Sequence, residues 1–267
     1  MRGLGQLLAL LAALTPAGAV AAEPGFAKAS VRSLFGDSAY DAEGERVRLP
    51  RDYRDHQLRL WGRWPLDETW ALFGGLAPVG WATYESRSRI YFGGGSAGAS
   101  VRLLRGPVDL ELQAEFGARP EGPTLFSGVV EGSALRLRPS VGTLFGSAHL
   151  SALRGLGWGW VRAALGATGF SRDGLDPALD AYVQLGWTPI RPLEFDLHLS
   201  GGWSFGDLSP VDVLGNGQTR YLGLGLGVAW WAFEDLGVTA SFDIGPFARS
   251  NAYSPALGLG LVARIPR

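Results

Sequence analysis

The sequence predicts an all-β protein, a transmembrane antiparallel up-and-down β-barrel of about twelve strands, within a range of roughly 10–14. Three observations predict it: segments that alternate apolar and polar side chains, an export signal with no later membrane helix, and aromatic residues at strand ends. The clearest alternation lies at residues 108–116, where one set of side chains interleaves with another: Val108, Leu110, Leu112, Ala114 and Phe116 with Asp109, Glu111, Gln113 and Glu115. Because successive side chains of a strand point to opposite faces, this segment has one apolar and one polar face.

The amino terminus is typical of a cleaved signal peptide, which we predict over residues 1–22. Arg2 precedes an apolar run at residues 7–14, and small residues follow Pro16. This pattern predicts cleavage after Ala21 or Ala22. No later segment has the run of about 20 apolar residues that a membrane helix needs. Residues 23–267 are therefore predicted to form a single barrel domain in the outer membrane of a Gram-negative bacterium.

Bulk composition excludes several classes of site. The chain has 24 basic and 25 acidic residues, three histidines and no cysteine. Without cysteine there is no disulfide scaffold, thiolate metal site or lipidated amino-terminal cysteine. The balanced charge argues against a nucleic-acid partner. We predict neither a metal site nor a cofactor.

The alternation predicts twelve strands with short and longer connections in turn. They cover residues 27–35, 56–64, 69–79, 89–104, 108–116, 140–153, 157–170, 178–187, 193–205, 219–231, 237–247 and 255–265. Segments 36–55 and 117–132 are predicted to be exposed loops, and Gly93-Gly94-Gly95 a bulge. Short periplasmic turns, longer extracellular loops and an even strand number are typical of outer-membrane barrels.

Aromatic residues predict two belts at the membrane interfaces. Those near the short turns are Trp64, Trp70, Trp158, Trp187, Trp230 and Phe233. Those near the opposite strand ends are Trp81, Tyr84, Phe116, Phe170, Trp203, Phe205, Phe247 and Tyr253.

Charged residues on the inner phase of the strands are the candidate lumen lining. They are Arg59, Arg63, Arg102, Asp109, Glu111, Glu115, Arg136, Arg138, Arg162, Asp180, Glu194, Asp196, His198 and Asp243. Such residues can line a path for a polar solute, or they can neutralise one another and fill the lumen. Neighbouring strands carry both signs, with Arg102 facing Asp109 and Glu111, and this favours a neutralised network.

A second inner-phase feature is a wall of small residues. Its members are Gly223, Gly225, Gly227, Thr239, Ser241, Gly258 and Gly260. The strict period of two in residues 222–227 indicates a strand and excludes a nucleotide-binding loop. The space beside this wall could admit a ligand, an inserted loop or the amino-terminal segment, or the glycines could serve strand curvature alone.

Two His-x-Ser motifs are the candidate catalytic residues. His149 and Ser151 form one pair and His198 and Ser200 the other. On a strand both side chains of a pair point the same way, so the histidine could activate the serine. The motif is similar to the His-x-Ser element of outer-membrane phospholipases and lipid A deacylases. The asparagine found in those families does not follow either pair.

The first quarter of the chain resembles a diverse family of proteobacterial outer-membrane barrels. Those proteins are described as transporters or as barrels associated with meta-pathway phenol degradation. The resemblance is carried by the segments AYDAEGE at 39–45, RDYR at 51–54 and LWGRWPLDETW at 60–70. It implies an outer-membrane location, with membrane lipid and the barrel-assembly machinery as partners.

These observations favour a channel or transporter for a small solute that could be hydrophobic, with no covalent chemistry. Three alternatives stay open: a lipid-hydrolysing barrel that uses a His-x-Ser pair, a plugged barrel that stabilises the envelope, and a soluble periplasmic barrel. The charged inner face is compatible with an open lumen and with a filled one.

Overall fold

A computed structural model describes residues 25–208, 211–213, 219–253 and 255–265. The signal peptide predicted at residues 1–22 lies outside the described residues and stays a prediction. No helix within the described ranges has the length and hydrophobicity to cross a membrane.

The described residues form strands β1 to β17. Their bounds are β1 Gly25–Tyr40, β2 Arg46–Pro65, β3 Trp70–Tyr84, β4 Arg87–Tyr91, β5 Gly94–Leu104, β6 Asp109–Arg119, β7 Phe126–Val130, β8 Ser133–Leu137, β9 Thr143–Leu156, β10 Gly159–Phe170, β11 Ala178–Ile190, β12 Leu193–Ser204, β13 Val211–Val213, β14 Arg220–Trp230, β15 Leu236–Arg249, β16 Asn251–Tyr253 and β17 Ala256–Ile265.

Twelve of these strands close into an antiparallel barrel, which confirms the predicted fold class and strand number. The order around the wall is β1, β2, β3, β5, β6, β9, β10, β11, β12, β14, β15 and β17. Closure is made by β1, which pairs with β17 on one side and β2 on the other. A closed wall leaves no unpaired strand edge among the twelve.

The two ends of the barrel differ in their connections. At the short-turn end, the strands are joined by residues 66–69, 105–108, 157–158, 191–192 and 231–235, and β1 begins beside the end of β17. At the long-loop end, the connections include residues 120–142, which carry β7 and β8. In one short turn, Asp67 Oδ1 accepts hydrogen bonds from the backbone N–H groups of Thr69 and Trp70, at 2.6 and 2.7 Å. These bonds lower the pKa of Asp67.

The exterior of the barrel is an apolar surface. On β6, Leu112 and Phe116 are 40% and 63% exposed, while Asp109 on the opposite face is buried, as the alternation predicts. Other strands repeat this, with outward Leu60, Leu72, Leu150, Leu165, Val183, Leu197, Leu199, Leu224, Leu226, Val238, Leu257, Leu259 and Leu261 all exposed. This is the surface expected of a barrel whose wall contacts hydrocarbon.

Aromatic side chains lie on the exterior near both ends. Exposed tryptophans are Trp64, Trp70, Trp158 and Trp230 near the short turns and Trp81 and Trp203 towards the long loops. Trp187 is half-buried because its ring stacks on Phe195, with centroids 5.5 Å apart. The sequence places Tyr84 in the second aromatic belt. This prediction is wrong, because Tyr84 is only 3% exposed. It pairs with Tyr53 on the inner face of the wall.

The prediction of an exposed loop over residues 36–55 is also wrong. β1 continues to Tyr40 and β2 begins at Arg46, so only residues 41–45 connect them. Asp41 Oδ1 closes this connection by accepting hydrogen bonds from the backbone N–H groups of residues 43–45. The charged residues of this segment belong to long strand ends, and cross-strand pairing overrides their weak β propensity. The predicted break at Gly93–Gly95 is confirmed, because β5 begins at Gly94 with φ +102°.

A small sheet of β7, β8 and β13 lies inside the long-loop end. β7 and β8 form a hairpin, and β13 pairs parallel with β8. Leu125, Leu135 and Leu137 from this region pack in one buried cluster with wall residues Ala39, Val47, Leu49, Tyr53, Ala82, Tyr84 and Tyr91. The loop predicted over residues 117–132 is therefore partly strand, and it packs against the inner wall.

Candidate functional site

The lumen contains a cavity of about 770 Å³. Its lining includes the inner faces of β1, β2 and β6, with Arg32, Arg59 and Glu115 among the side chains. Pro139 and Ser140, which follow the β7–β8 hairpin, contribute to the same lining. The hairpin therefore lies beside the cavity, within the long-loop half of the barrel.

Ion pairs occupy the lumen closer to the short turns. Arg63 Nη2 lies 2.7 Å from Glu111 Oε2, and the two side chains are 9% and 15% exposed. Arg102 Nε lies 3.9 Å from Asp109 Oδ2, and both of these side chains are almost buried. The sequence predicts that Arg102 faces Asp109 and Glu111. The Glu111 carboxylate accepts a hydrogen bond from Arg63, which lies on β2, with β3 and β5 between the two strands.

Removal of one partner of the Arg63–Glu111 pair is expected to destabilise the barrel. We expect Arg63→Met to lower the free energy of unfolding by about 2 kcal/mol, because Glu111 loses a charge-assisted hydrogen bond in a nearly buried position. Urea unfolding in lipid vesicles, followed by tryptophan fluorescence, measures this change. The matched control is Arg105→Met, whose ion pair with Glu68 is exposed and contributes at most about 1 kcal/mol. Equal losses in the two variants would contradict the expectation.

The two histidines of the His-x-Ser motifs each reach across a glycine to an aspartate two strands away. His149 Nε2 on β9 lies 2.7 Å from Asp180 Oδ1 on β11, over Gly166 of β10. A Cβ at Gly166 would overlap the His149 ring. The contact between histidine and aspartate therefore depends on glycine in the strand between them.

The second histidine repeats this arrangement. His198 Nε2 on β12 lies 2.8 Å from Asp243 Oδ1 on β15, over Gly225 of β14. Its Nδ1 lies 3.1 Å from Asp196 Oδ1 on its own strand. A Cβ at Gly225 would overlap the His198 ring, and a Cβ at Gly227 would overlap the Asp196 carboxylate.

These contacts explain the wall of small residues. Its space is taken by side chains of the adjacent strands, because His198 and Asp196 lie over Gly225 and Gly227 and Ser241 lies against Gly258. The sequence left open a ligand, a loop or the amino-terminal segment as the occupant of this space. Side chains of the described strands account for these glycines without any of the three. The remaining members Gly223, Thr239 and Gly260 continue the same inner face.

The His-x-Ser pairs do not form catalytic pairs in the described geometry. The polar contacts of His149 and His198 are made to aspartates, and Ser151 Oγ donates to the backbone oxygen of Glu111 at 3.4 Å. Among the described residues no hydrogen bond joins either histidine to the serine of its motif, Ser151 or Ser200. The arrangement lacks the contact between base and nucleophile that serine activation requires.

Two of the predicted lumen arginines lie away from the barrel wall. Arg136 is on β8 and Arg138 follows it, so both belong to the inserted hairpin region. Arg138 Nη1 lies 3.1 Å from Glu121 Oε1 in the same long connection. The inner-phase assignment of these two residues is wrong because the period of two was carried into a segment that leaves the wall.

The remaining predicted residues lie on inner strand faces. Arg162 on β10 is opposite Gln184. Glu194 accepts hydrogen bonds from the indole N–H groups of Trp160 and Trp231, each at 3.4 Å. In the part of the chain that the structure describes, no group of three or more His, Asp or Glu side chains has the arrangement of a metal site.

Sequence reasoning missed four polar residues that line the lumen. Lys28 and Arg32 lie on the inner face of β1, paired with Val262 and Gly258 of β17. Arg119 is at the end of β6, and Asp55 lay in the segment predicted to be a loop. The alternation Ala27-Lys28-Ala29-Ser30-Val31-Arg32 was the signal for the first two.

Comparison with known proteins identifies the fold. No protein-family model matches the sequence, and no curated protein is significantly similar to it. An outer membrane channel from Pseudomonas putida F1 is 13% identical with a TM-score of 0.65, and the match covers 94% of this chain and 100% of that one.

Two further solved structures match over most of their length. The KdgM porin in complex with disordered oligogalacturonate is 9% identical with a TM-score of 0.51, over 90% of this chain and 99% of that one. The TodX monoaromatic hydrocarbon channel is 8% identical with a TM-score of 0.52, over 92% and 91%. At these low sequence identities, the similarity shows the barrel fold alone. The fold agrees with the resemblance of the first quarter of the sequence to outer-membrane barrels.

Proposed function

We propose that this chain is an outer-membrane channel for a small solute and carries out no covalent chemistry. The observation that carries the proposal is the cavity of about 770 Å³ inside a closed barrel. Charged side chains line it together with aromatic ones. A barrel of twelve strands is intermediate in diameter between small barrels, whose interior is filled by side chains, and the wide porins.

The exterior supports a location in the outer membrane. Its outward leucines and valines have no cover in the described chain, and hydrocarbon is the environment in which such a surface is stable. Tryptophans near both ends suit the two interfaces. In this orientation the short turns face the periplasm and the long loops face outward, with membrane lipid and the barrel-assembly machinery as partners.

Proteins of similar fold support a role in transport. Solved structures with this fold include an outer membrane channel, a porin, a monoaromatic hydrocarbon channel and the translocator domain of an autotransporter. The cavity in this chain has basic and acidic residues such as Arg59 and Glu115 in its lining. These side chains favour a solute with polar or charged groups over a purely hydrophobic one, since desolvating them against an apolar solute is costly.

Single-channel recording in planar lipid bilayers tests this function. We expect the purified, folded protein to give discrete current steps, because water and ions enter a lumen lined with charge. Heat-modifiable migration in detergent identifies the folded barrel, and the heat-denatured protein is the control without steps. Folded protein that gives no current at any voltage would contradict a channel and favour the plugged structural barrel.

A further inference from the structure

Three arginine side chains line the cavity without a carboxylate partner. Among the described residues, no carboxylate oxygen lies within 4.0 Å of the side-chain nitrogens of Arg32, Arg59 or Arg119. The charges of Arg32, Asp55 and Arg119 are all near enough to act on Arg59. Arg63, deeper in the same lumen, is held by Glu111 at 2.7 Å. The cavity therefore holds three guanidinium groups that make no direct ion pair with a described residue, and three carboxylates, Asp55, Glu115 and Asp243, share its lining.

The cavity carboxylates are hydrogen-bonded elsewhere. Asp55 is 2% exposed, and its Oδ1 accepts a hydrogen bond from the Tyr91 hydroxyl at 2.6 Å. Asp243 Oδ1 lies 2.8 Å from His198 Nε2. Glu115 accepts a longer hydrogen bond, 3.5 Å, from Ser147 Oγ. These contacts leave the three guanidinium groups as the charged donors available to a solute.

Contacts with neighbouring side chains restrain the guanidinium groups of Arg59 and Arg119. Arg59 Nε and Nη2 both donate to Gln57 Oε1, at 3.0 and 2.7 Å, which restrains the guanidinium on the wall. The Arg119 guanidinium carbon lies 4.9 Å from the centroid of the Phe145 ring. Restraint of this kind lowers the entropy that a bound anion must remove.

Aromatic side chains provide an apolar contact beside these charges. Trp61, Phe145 and Tyr221 all line the cavity. A guanidinium fork binds a carboxylate with two parallel hydrogen bonds, and a ring packs against an apolar body. Inorganic oxyanions use only the first of these features, and neutral aromatic molecules only the second.

From this juxtaposition we propose that Arg32, Arg59 and Arg119 form a binding site for a small organic carboxylate within the lumen. The inference rests on the proposed channel function and names the class of solute that the channel takes. The carboxylate contacts the guanidinium groups, and the organic body lies against Trp61, which is 39% exposed.

Calorimetric titration of the folded protein in detergent tests the site, with benzoate as the probe. We expect saturable binding of benzoate and at least about tenfold weaker binding of benzamide, which has the same ring without the charge. The double variant R59Q/R119Q should also bind benzoate at least about tenfold more weakly. The matched control is Arg54→Gln, which removes a cationic side chain from the outer face of the same strand.

Three results would overturn the site: benzamide or inorganic phosphate binding as tightly as benzoate, no detectable benzoate binding by folded protein, or unchanged binding by R59Q/R119Q. Heat-modifiable migration shows that each variant is folded. Bilayer recording separates the two proposals. Current steps without benzoate binding would overturn the site and leave the channel, whereas benzoate binding without current would overturn the channel and leave the site.

Discussion

Alanine in place of Gly166 is expected to lower the free energy of unfolding by about 3–5 kcal/mol. The added Cβ would overlap the His149 ring, whose atoms are the nearest to that position. The ring must move, and its contact with Asp180, 2.7 Å long, is lost with it. Overpacking and the loss of a charge-assisted hydrogen bond both contribute. Urea unfolding in lipid vesicles measures the sum.

A control on the same strand isolates the role of the histidine. Gly169 has no heavy atom within 4 Å of an added Cβ, so Gly169→Ala is expected to change stability little. In a His149→Ala background the ring is gone, and Gly166→Ala should cost about 1 kcal/mol or less. A full-size effect in that background would show that the His149 ring is not the reason for glycine at this position.

The fold was largely predictable because its main determinant is local. The alternation of Asp109, Glu111 and Glu115 with Leu112 and Phe116 predicts which face of the strand points outward, and the structure confirms this for β6. A period of two needs no knowledge of the neighbouring strands. The prediction was wrong at residues 36–55, because exposed charged side chains there alternate with inner residues such as Val47, Leu49 and Tyr53, which pack in the cluster with the β7–β8 region.

The contacts inside the lumen were not predictable to the same extent. That Glu111 pairs with Arg63, and His149 with Asp180, depends on register across two or more strands. Sequence alone placed these side chains on the inner phase, but it fixed no register between strands. The glycines carried a signal that could have been used, since Gly166 and Gly225 each lie opposite a histidine. A glycine paired with a large inner side chain on the neighbouring strand indicates that this side chain passes over the glycine and contacts the next strand.

Removal of the β7–β8 hairpin is expected to raise single-channel conductance by about twofold or more. The region beside the hairpin supplies Pro139 and Ser140 to the cavity lining, and Leu135 and Leu137 anchor it to the inner wall. Replacing residues 126–137 by a short glycine–serine linker opens this end of the lumen. Conductance follows the narrowest cross-section of the water-filled path, so the change reports whether the hairpin forms it.

A second deletion distinguishes this effect from loop shortening in general. Residues 173–175 lie in another connection at the long-loop end and contribute no side chain to the cavity. Their deletion should leave the conductance unchanged. If both deletions leave it unchanged in barrels that still show heat-modifiable migration, the constriction lies deeper, beside the ion pairs Arg63–Glu111 and Arg102–Asp109 on the wall. The hairpin would then stabilise the barrel mouth without limiting flow, and the ion pairs would set the size of solute that passes.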